Sequence, residues 1–157
     1  MNIVESLNAL NLELPQVSTP GGNYQSVNVR DNIAYVAIQF PIYNEEFRFQ
    51  GVLGKDLTTD DGTQAMQLCA LNVIAQINQK IGFEHILGLN HLDAYYVASD
   101  TWDEAPKIVN GASDLFIHVL GEKGNHSRAI MGVLNLPRGF SVGITTSFTL
   151  SGKQIGE

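Results

Sequence analysis

Apolar residues recur along the chain with two different spacings, and the changes of spacing divide the chain into helices and strands. Over residues 58–82 they recur every three or four positions, which predicts an amphipathic helix. Thr59 or Asp60 can cap its start, Lys80 lies in its last turn, and Gly82 follows it. Its apolar stripe consists of Met66, Ala70, Val73, Ile77 and Ile81.

Two further segments have helical spacing. The spacing of apolar positions over residues 3–10 predicts a short helix. Residues 103–120 predict a longer helix, which tolerates Pro106 in its first turn and ends at Gly121. The apolar stripe of this longer helix is Val109, Ala112, Phe116 and Val119. Residues 44–57 predict a polar loop or an irregular strand.

Alternating or continuous apolar runs predict strands in the remaining parts of the chain. Asp31 and Asn32 separate the first two strands and suit a tight hairpin. The last strand alternates cleanly, with apolar residues on one face and small polar residues on the other. The predicted strands are residues 26–31, 33–43, 91–99, 128–136 and 141–150.

The order of these elements predicts an α+β fold, in which a mixed β-sheet carries two main helices packed on one face. Residues 128–136, RAIMGVLNL, do not alternate and are apolar on both faces. Such a strand is expected to be covered on both sides. Because one helical layer covers only one face, we expect another subunit to supply the second cover.

Length and composition limit the number of domains in the chain and the classes of partner that it can bind. The 157 residues suffice for one domain, so we predict a single domain over residues 1–157, with a helical extension over 1–14 and a tail over 151–157. Hydrophobic residues make up 44% of the chain and charged residues 16%, which excludes a disordered chain. The net charge of −7 argues against nucleic acid or an anionic membrane as a partner.

Cys69 is the single cysteine, so no internal disulfide can form. The N-terminus has neither the basic start nor the apolar run of a secretory signal, and no stretch reaches the length of a membrane span. We therefore predict a cytoplasmic protein without a membrane partner. Cys69 lies in an apolar helix, where a buried, inert thiol is expected.

The common catalytic and cofactor motifs are absent from the sequence. There is no phosphate-binding loop, no dinucleotide fingerprint and no HExxH motif. The four histidines have no spacing typical of metal ligands, so no metal site is predicted. His85, His91 and His118 are interpreted as surface or packing residues.

Arg128 is the first candidate for a binding residue. It stands in GNHSRAIMGVLNLP, residues 124–137, at the start of the strand that is apolar on both faces. An arginine is costly to bury without an anion, since its charge cannot be removed by deprotonation. Two interpretations remain open at this point. The side chain either lays its stem on apolar surface with its head in water, or grips a carboxylate through its planar fork.

Several motifs together resemble one family. They are the Arg-to-Leu-Pro spacing over 128–137, the block NGASDL over 110–115, and the segments STPGGNY, IQFP and AMQLCALNVIAQI. These resemble the Rid family, the YjgF-like reactive-intermediate deaminases, and within it the branch labelled endoribonuclease or chorismate-mutase-like. The resemblance covers residues 15–150 and implies the YjgF-like fold.

The resemblance also implies an assembly, a reaction and site residues. It implies a homotrimer with a small-molecule cleft at each subunit boundary. Arg128 matches the family arginine that binds a substrate carboxylate, and Tyr24 matches a tyrosine that lines the same cleft. Members hydrolyse enamines and imines, such as 2-aminoacrylate, to a keto acid and ammonia. They need no metal or organic cofactor, so we expect none here.

The chain departs from the family pattern at two site positions. A glutamate on the last strand of the family helps to position the attacking water, and this chain has Gly143 there. The usual Ser-Gly pair is Ala37 and Ile38, and the larger Ile38 is expected to fill space in or near the pocket.

His126 is the nearest titratable candidate for the role of the missing base. Its alternative interpretation is a loop histidine that fixes the turn over 121–124. Asp114 can orient the guanidinium of Arg128 from the second helix. The alternative is that Asn110, Ser113 and Asp114 serve the structure of that helix. The row of small polar residues on the last strand either packs against a subunit or lines a cleft.

The sequence and the resemblance together leave three candidate functions. The first is a Rid-like deaminase of small carboxylate-bearing enamines and imines, with Arg128 as the anchor. The alternative is a non-catalytic trimer that binds a small carboxylate-bearing ligand, which Gly143 and Ile38 favour. The third is an endoribonuclease, against which the acidic balance of the chain counts.

Overall fold

The computed structural model describes residues 2–152, which form three α-helices, three short 3-10 helices and seven strands. The α-helices are α1 (Ile3–Asn8), α2 (Thr59–Lys80) and α3 (Ala105–Leu120). The strands are β1 (Val27–Arg30), β2 (Ile33–Gln39), β3 (Ile42–Tyr43), β4 (Glu46–Phe47), β5 (Ile86–Tyr96), β6 (Ser127–Gly132) and β7 (Val142–Leu150). Most of the predicted tail, residues 153–157, lies outside the described residues.

Helix α2 begins one residue earlier than the predicted caps imply. Thr58 is the N-cap: its Oγ1 accepts a hydrogen bond from the Asp61 N–H at 3.1 Å, and Asp61 Oδ2 accepts one from the Thr58 N–H at 2.9 Å. Thr59 or Asp60 was expected to cap the helix, and both instead lie inside its first turn. The reciprocal pair satisfies two backbone donors at once, which selects Thr58 over its neighbours.

Five strands form one mixed sheet in the order β1-β2-β7-β5-β6. Only β5 and β6 run parallel, and the other neighbours are antiparallel. The predicted hairpin is confirmed, since Arg30 pairs with Ile33 and Asp31 adopts a φ of 51° in the turn. The predicted irregular segment holds a two-residue ladder, β3 with β4.

Strand β5 begins at residue 86, five residues before the predicted start. Its pairing with β7 shifts between Ile86 and Gly88 and again between Leu89 and His91. Each shift places an extra residue on one strand and interrupts the alternation of inward and outward side chains. The first half of the strand therefore lacks the period of two by which strands are recognised.

Helices α2 and α3 pack on one face of the sheet, as the α+β prediction requires. All five residues of the predicted α2 stripe are buried. The N-terminal extension joins this layer through Leu7, which is buried in the core. His118 supports the junction, because its Nε2 lies 3.0 Å from the Ser6 carbonyl oxygen.

Strand β6 lies at the edge of the sheet and pairs with β5 alone. The predicted cover on both faces is not supplied within residues 2–152. Met131 is exposed, and Leu134, which follows the strand, is 91% exposed. Ile130 of the same strand packs against the core, so the apolar segment is only partly buried within one chain.

Gly111 sets the distance between α2 and α3. A Cβ placed on Gly111 would lie 2.2 Å from the Thr63 carbonyl oxygen of α2, far inside contact distance. We expect Gly111→Ala to lower the free energy of unfolding by about 1–3 kcal/mol, because the helices must separate. Urea unfolding measures the effect. Gly21→Ala is the control, since a Cβ at Gly21 meets nothing within 4 Å. Equal urea midpoints for Gly111→Ala and wild type would contradict this account of the helix contact.

Candidate functional site

Arg128 lies on the edge strand β6, with its guanidinium against the first half of α3. Its Nη1 donates to Asn110 Oδ1 at 2.8 Å and to Ser113 Oγ at 3.1 Å. Its Nη2 donates to the Pro106 carbonyl oxygen at 3.3 Å. The three partners are spaced four and three residues apart, so they share one face of the helix. The parallel pairing of β6 with β5, in which Arg128 lies opposite Leu92, fixes the position of Arg128 along that face of α3.

These contacts leave two N–H donors of the guanidinium available for a ligand. Arginine has five N–H donors, and three are used here. The Nε–H and one N–H of Nη2 have no partner among the residues that the structure describes. Arg128 is half-buried, and its nearest partners are neutral. The arrangement combines a fixed cation with two spare donors, which is the number that a bidentate carboxylate requires.

His126 lies in the same group. Its Nδ1 is 2.6 Å from the Gly124 carbonyl oxygen, and its Nε2 is 2.9 Å from Ser113 Oγ. A carbonyl oxygen can only accept, so Nδ1 carries the proton of the neutral ring and Nε2 accepts from the Ser113 hydroxyl. Ser113 thus connects His126 to Arg128. The bond to Gly124 is the turn contact that the alternative interpretation of His126 predicts.

Asp114 is exposed on α3 and makes no hydrogen bond or ion pair with Arg128 within residues 2–152. Asn110 and Ser113 hold the guanidinium instead. Sequence reasoning interpreted these two as serving the helix itself. Their spacing with Pro106 on one face of α3 was the signal that could have revealed them, since an arginine on a neighbouring strand then meets all three.

Tyr24 lies far from Arg128 within one chain. It stands on the loop before β1, half-exposed, and its Oη accepts a hydrogen bond from the Gly21 N–H at 3.2 Å. Strands β1 and β6 are the opposite edges of the sheet, four strand spacings of about 4.8 Å apart. One chain therefore does not bring the two predicted ligand-binding residues together.

Tyr24 lines a cleft of about 710 Å³ between the N-terminal loop, the end of β2 and the turn that precedes β7. Ile38 contributes to its wall. A Cβ built on Gly143 would lie 2.9 Å from Ile38 Cδ1 and 3.0 Å from Phe40 Cε1. The two departures that the resemblance implies thus meet in a single contact, since the tips of Ile38 and Phe40 lie where a side chain at position 143 would begin.

The open face of the sheet carries a polar network that the sequence did not reveal. His91 Nδ1 lies 2.7 Å from Ser127 Oγ, and its Nε2 lies 3.0 Å from Asp93 Oδ1. Thr145 Oγ1 donates to Asp93 Oδ2 at 3.3 Å. His91 was interpreted as a surface or packing residue, and the network requires the pairing of β5, β6 and β7, which is not visible in the sequence. Thr145 is one of the small polar residues predicted to share one face of the last strand, and it is thereby hydrogen-bonded within its own chain.

Cys69 is fully buried in α2, and burial raises the pKa of its thiol well above the usual value. A neutral, inaccessible thiol matches the expected packing role. Within the described residues, no group of three or more His, Cys, Asp or Glu side chains is arranged to hold a metal ion. In that same part of the chain, no helix has the length and apolar character needed to cross a bilayer.

Comparisons with known proteins show what the whole chain is similar to. The profile of the family described as "YjgF/chorismate mutase-like, putative endoribonuclease" matches residues 5–144. Protein TCP17 of Trypanosoma cruzi is 32% identical over 142 residues, which cover 89% of each chain. A crystal structure from Shewanella oneidensis with the same endoribonuclease description is 32% identical, with a TM-score of 0.92 over 96% of this chain and 100% of that one. Protein Atu1372 of Agrobacterium tumefaciens, of unknown function, is 30% identical, with a TM-score of 0.89 over 95% of this chain and 92% of that one.

Proposed function

This chain belongs to the YjgF/chorismate mutase-like family, and from that premise we propose that it hydrolyses small carboxylate-bearing enamines and imines of the 2-aminoacrylate type. The products are a keto acid and ammonia. Arg128 binds the substrate carboxylate at the boundary between subunits. The observation that carries the proposal is the guanidinium of Arg128, which three α3 partners hold in place while two of its donors stay available.

A guanidinium fixed in advance binds a carboxylate better than a free one. Side-chain ordering on binding costs about 0.5–1.5 kcal/mol for each long side chain, and the α3 contacts have already met that cost. The neutral partners leave the positive charge uncompensated. A carboxylate on the Nε–H and the remaining Nη2–H would form two charge-assisted hydrogen bonds.

The separation of Arg128 and Tyr24 within one chain supports a site at a subunit boundary. A site that contains both needs Arg128 of one copy and Tyr24 of another. The exposed apolar residues at the β6 edge, Met131 and Leu134, support contact between copies at that edge. We therefore propose a homotrimer, the assembly that the resemblance implies.

The chemistry needs only modest help from the protein. The enamine takes a proton at its terminal carbon and becomes an imine, water adds to the C=N carbon, and the resulting carbinolamine loses ammonia to leave the keto acid. Ser113 can accept a hydrogen bond from the attacking water while it donates to His126 Nε2. Deprotonation of the water would then pass through Ser113 to His126, which makes His126 the proposed base.

A second candidate function is carboxylate binding without turnover. The contact of Ile38 and Phe40 with Gly143 supports it, because the tips of both side chains must shift before an acidic side chain fits at the position that the resemblance assigns to the family glutamate. In that case Arg128 holds a ligand that the protein does not change.

The proposal is tested by the release of ammonia from freshly generated 2-aminoacrylate. We expect the wild-type protein to accelerate release over the buffer rate. Isothermal titration with pyruvate, a small keto acid, runs in parallel and reports the carboxylate site alone. Binding of pyruvate without acceleration would support the second candidate. Neither binding nor acceleration would overturn both.

A further inference from the structure

A serine, a histidine and an aspartate form a chain of hydrogen bonds on the open face of the sheet, which is the face opposite α2 and α3. His91 Nδ1 lies 2.7 Å from Ser127 Oγ, and His91 Nε2 lies 3.0 Å from Asp93 Oδ1. Arg128 and Tyr24 take no part in this chain, because Arg128 contacts α3 on the other face. The three side chains therefore offer a chemistry separate from the proposed function.

The partners of His91 determine where its ring carries a proton. A carboxylate can only accept, so in the neutral ring Nε2 carries the proton and donates it to Asp93. Nδ1 is then free to accept the hydroxyl proton of Ser127. The Asn90 carbonyl oxygen, at 3.5 Å, is the weaker acceptor for that hydroxyl. A serine that donates to a neutral imidazole, itself held by a carboxylate, is the arrangement that activates a hydroxyl as a nucleophile.

A bulge in β5 places His91 on the open face. Leu89 and His91 lie opposite two adjacent residues of β7, so Asn90 is an extra residue in this pairing. Residues two apart on a regular strand share one face. Here Leu89 is buried in the core, whereas 40% of the His91 side chain is exposed on the other face. The bulge thus turns the histidine towards the serine on β6, as bulges beside active sites do.

The surroundings of Ser127 leave room for a substrate. Ser127 is exposed, and the residues opposite Asp93 on the two neighbouring strands are small, Ala129 on β6 and Thr145 on β7. Met131, which we propose to contact a second copy, lies four residues further along β6, at about 13 Å. Among the described residues β6 is an edge strand, so alternate backbone N–H groups point away from the sheet and can donate to a developing oxyanion.

We propose that Ser127 is the nucleophile of a second site, which hydrolyses small activated esters. Ser127 Oγ bonds to the acyl carbon while His91 Nδ1 takes the hydroxyl proton, and the C=O electron pair moves onto the oxygen. That pair then re-forms the C=O bond, the alcohol leaves with the proton from His91, and the acyl group stays on Ser127. Water attacks the acyl-serine in the same way, which releases the carboxylic acid and restores the hydroxyl. Asp93 is a positioning residue that holds the ring of His91 in the accepting tautomer.

Covalent labelling tests the nucleophile directly. Wild type treated with diisopropyl fluorophosphate is expected to lose fluoride from the reagent and to carry the phosphoryl group on Ser127, where peptide mass spectrometry would locate it. Release of 4-nitrophenolate from 4-nitrophenyl acetate should fall about 10²-fold in Ser127→Ala. Ser147→Ala is the matched control, because Ser147 lies opposite His91 on β7 and makes no side-chain hydrogen bond among residues 2–152. It should keep both the label and the rate.

The positioning role of Asp93 has a spectroscopic signature. In Asp93→Asn the side-chain amide can donate to His91 Nε2, which favours the tautomer with its proton on Nδ1. Nitrogen-15 chemical shifts of the ring should therefore report a protonated Nε2 in wild type and a protonated Nδ1 in the variant. The labelling rate of Ser127 in that variant should fall about 10²-fold, because the hydroxyl has lost its acceptor.

Two outcomes would overturn the proposal. One is wild type that stays unlabelled at Ser127, a result that requires no variant to fold. The other is unchanged labelling of Ser127 in His91→Gln, with thermal melting showing that this variant is folded. The labelling requires neither ammonia release nor carboxylate binding, so a failure of the proposed function would leave this test intact.

Discussion

Replacement of Arg128 by methionine is expected to lower kcat/KM for 2-aminoacrylate by roughly 30-fold or more. Removing one partner of a hydrogen-bonded charge pair typically costs about 2–5 kcal/mol, and 1.4 kcal/mol corresponds to a factor of ten. The methionine keeps much of the side-chain length and loses both available donors. Initial rates of ammonia release at low substrate concentration report this quantity directly.

Two further variants test whether the loss of rate is specific to the planar guanidinium of Arg128. Arg128→Lys keeps the charge and loses the planar fork, so its rate should lie between those of wild type and methionine. Arg30→Met is the matched control, because Arg30 is an exposed arginine at the opposite edge of the sheet, bonded to Asn28 and the Val29 carbonyl oxygen. Thermal melting confirms that each variant folds. A folded Arg128→Met with the wild-type rate would exclude the carboxylate clamp.

The double variant Ile38→Gly, Gly143→Glu is expected to gain about 10²–10⁴-fold in the rate of ammonia release, the usual contribution of a positioned general base. The gain requires both changes. Gly143→Glu alone places its Cβ 2.9 Å from Ile38 Cδ1 and 3.0 Å from Phe40 Cε1, so the glutamate cannot take its place without displacing them. Ile38→Gly removes the nearer obstacle.

The two single variants are the controls for this experiment. Gly143→Glu is expected to melt at a lower temperature than wild type, and Ile38→Gly is expected to show no gain in rate. The double variant should melt above Gly143→Glu, which would show that the two positions interact. A rate gain in Gly143→Glu by itself would mean that Ile38 and Phe40 yield easily, and that the two departures are independent.

The sequence predicted those parts of the fold that depend on residues close together in the chain. The stripe on α2 and the hairpin at Asp31 each depend on neighbouring residues and were predicted correctly. The start of β5 was missed because register shifts hide its alternation, and these shifts arise only when β7 pairs with it. The N-cap was misplaced by one residue because Thr58 and Thr59 have the same side chain, and only the reciprocal bond with Asp61 distinguishes them.

The residues of the candidate site were likewise predicted only in part. The resemblance selected Arg128 and Tyr24, and His126 was selected as the nearest titratable residue. The structure joins Arg128 and His126 through Ser113 while it separates Tyr24. Asn110 and Ser113 were not selected as partners of Arg128, because their contact depends on where β6 lies against α3. Their spacing with Pro106 places them on one face of α3, but the sequence does not show that this face meets Arg128.

The contact between Ile38 and Gly143 also restricts how sequences of this kind can change over generations. Glutamate at position 143 meets a filled space while Ile38 remains, and glycine at position 38 brings no benefit while position 143 has no carboxylate. If only the double variant gains rate, as expected above, each single step is costly or without advantage. Selection for faster chemistry at position 143 would then require both substitutions together.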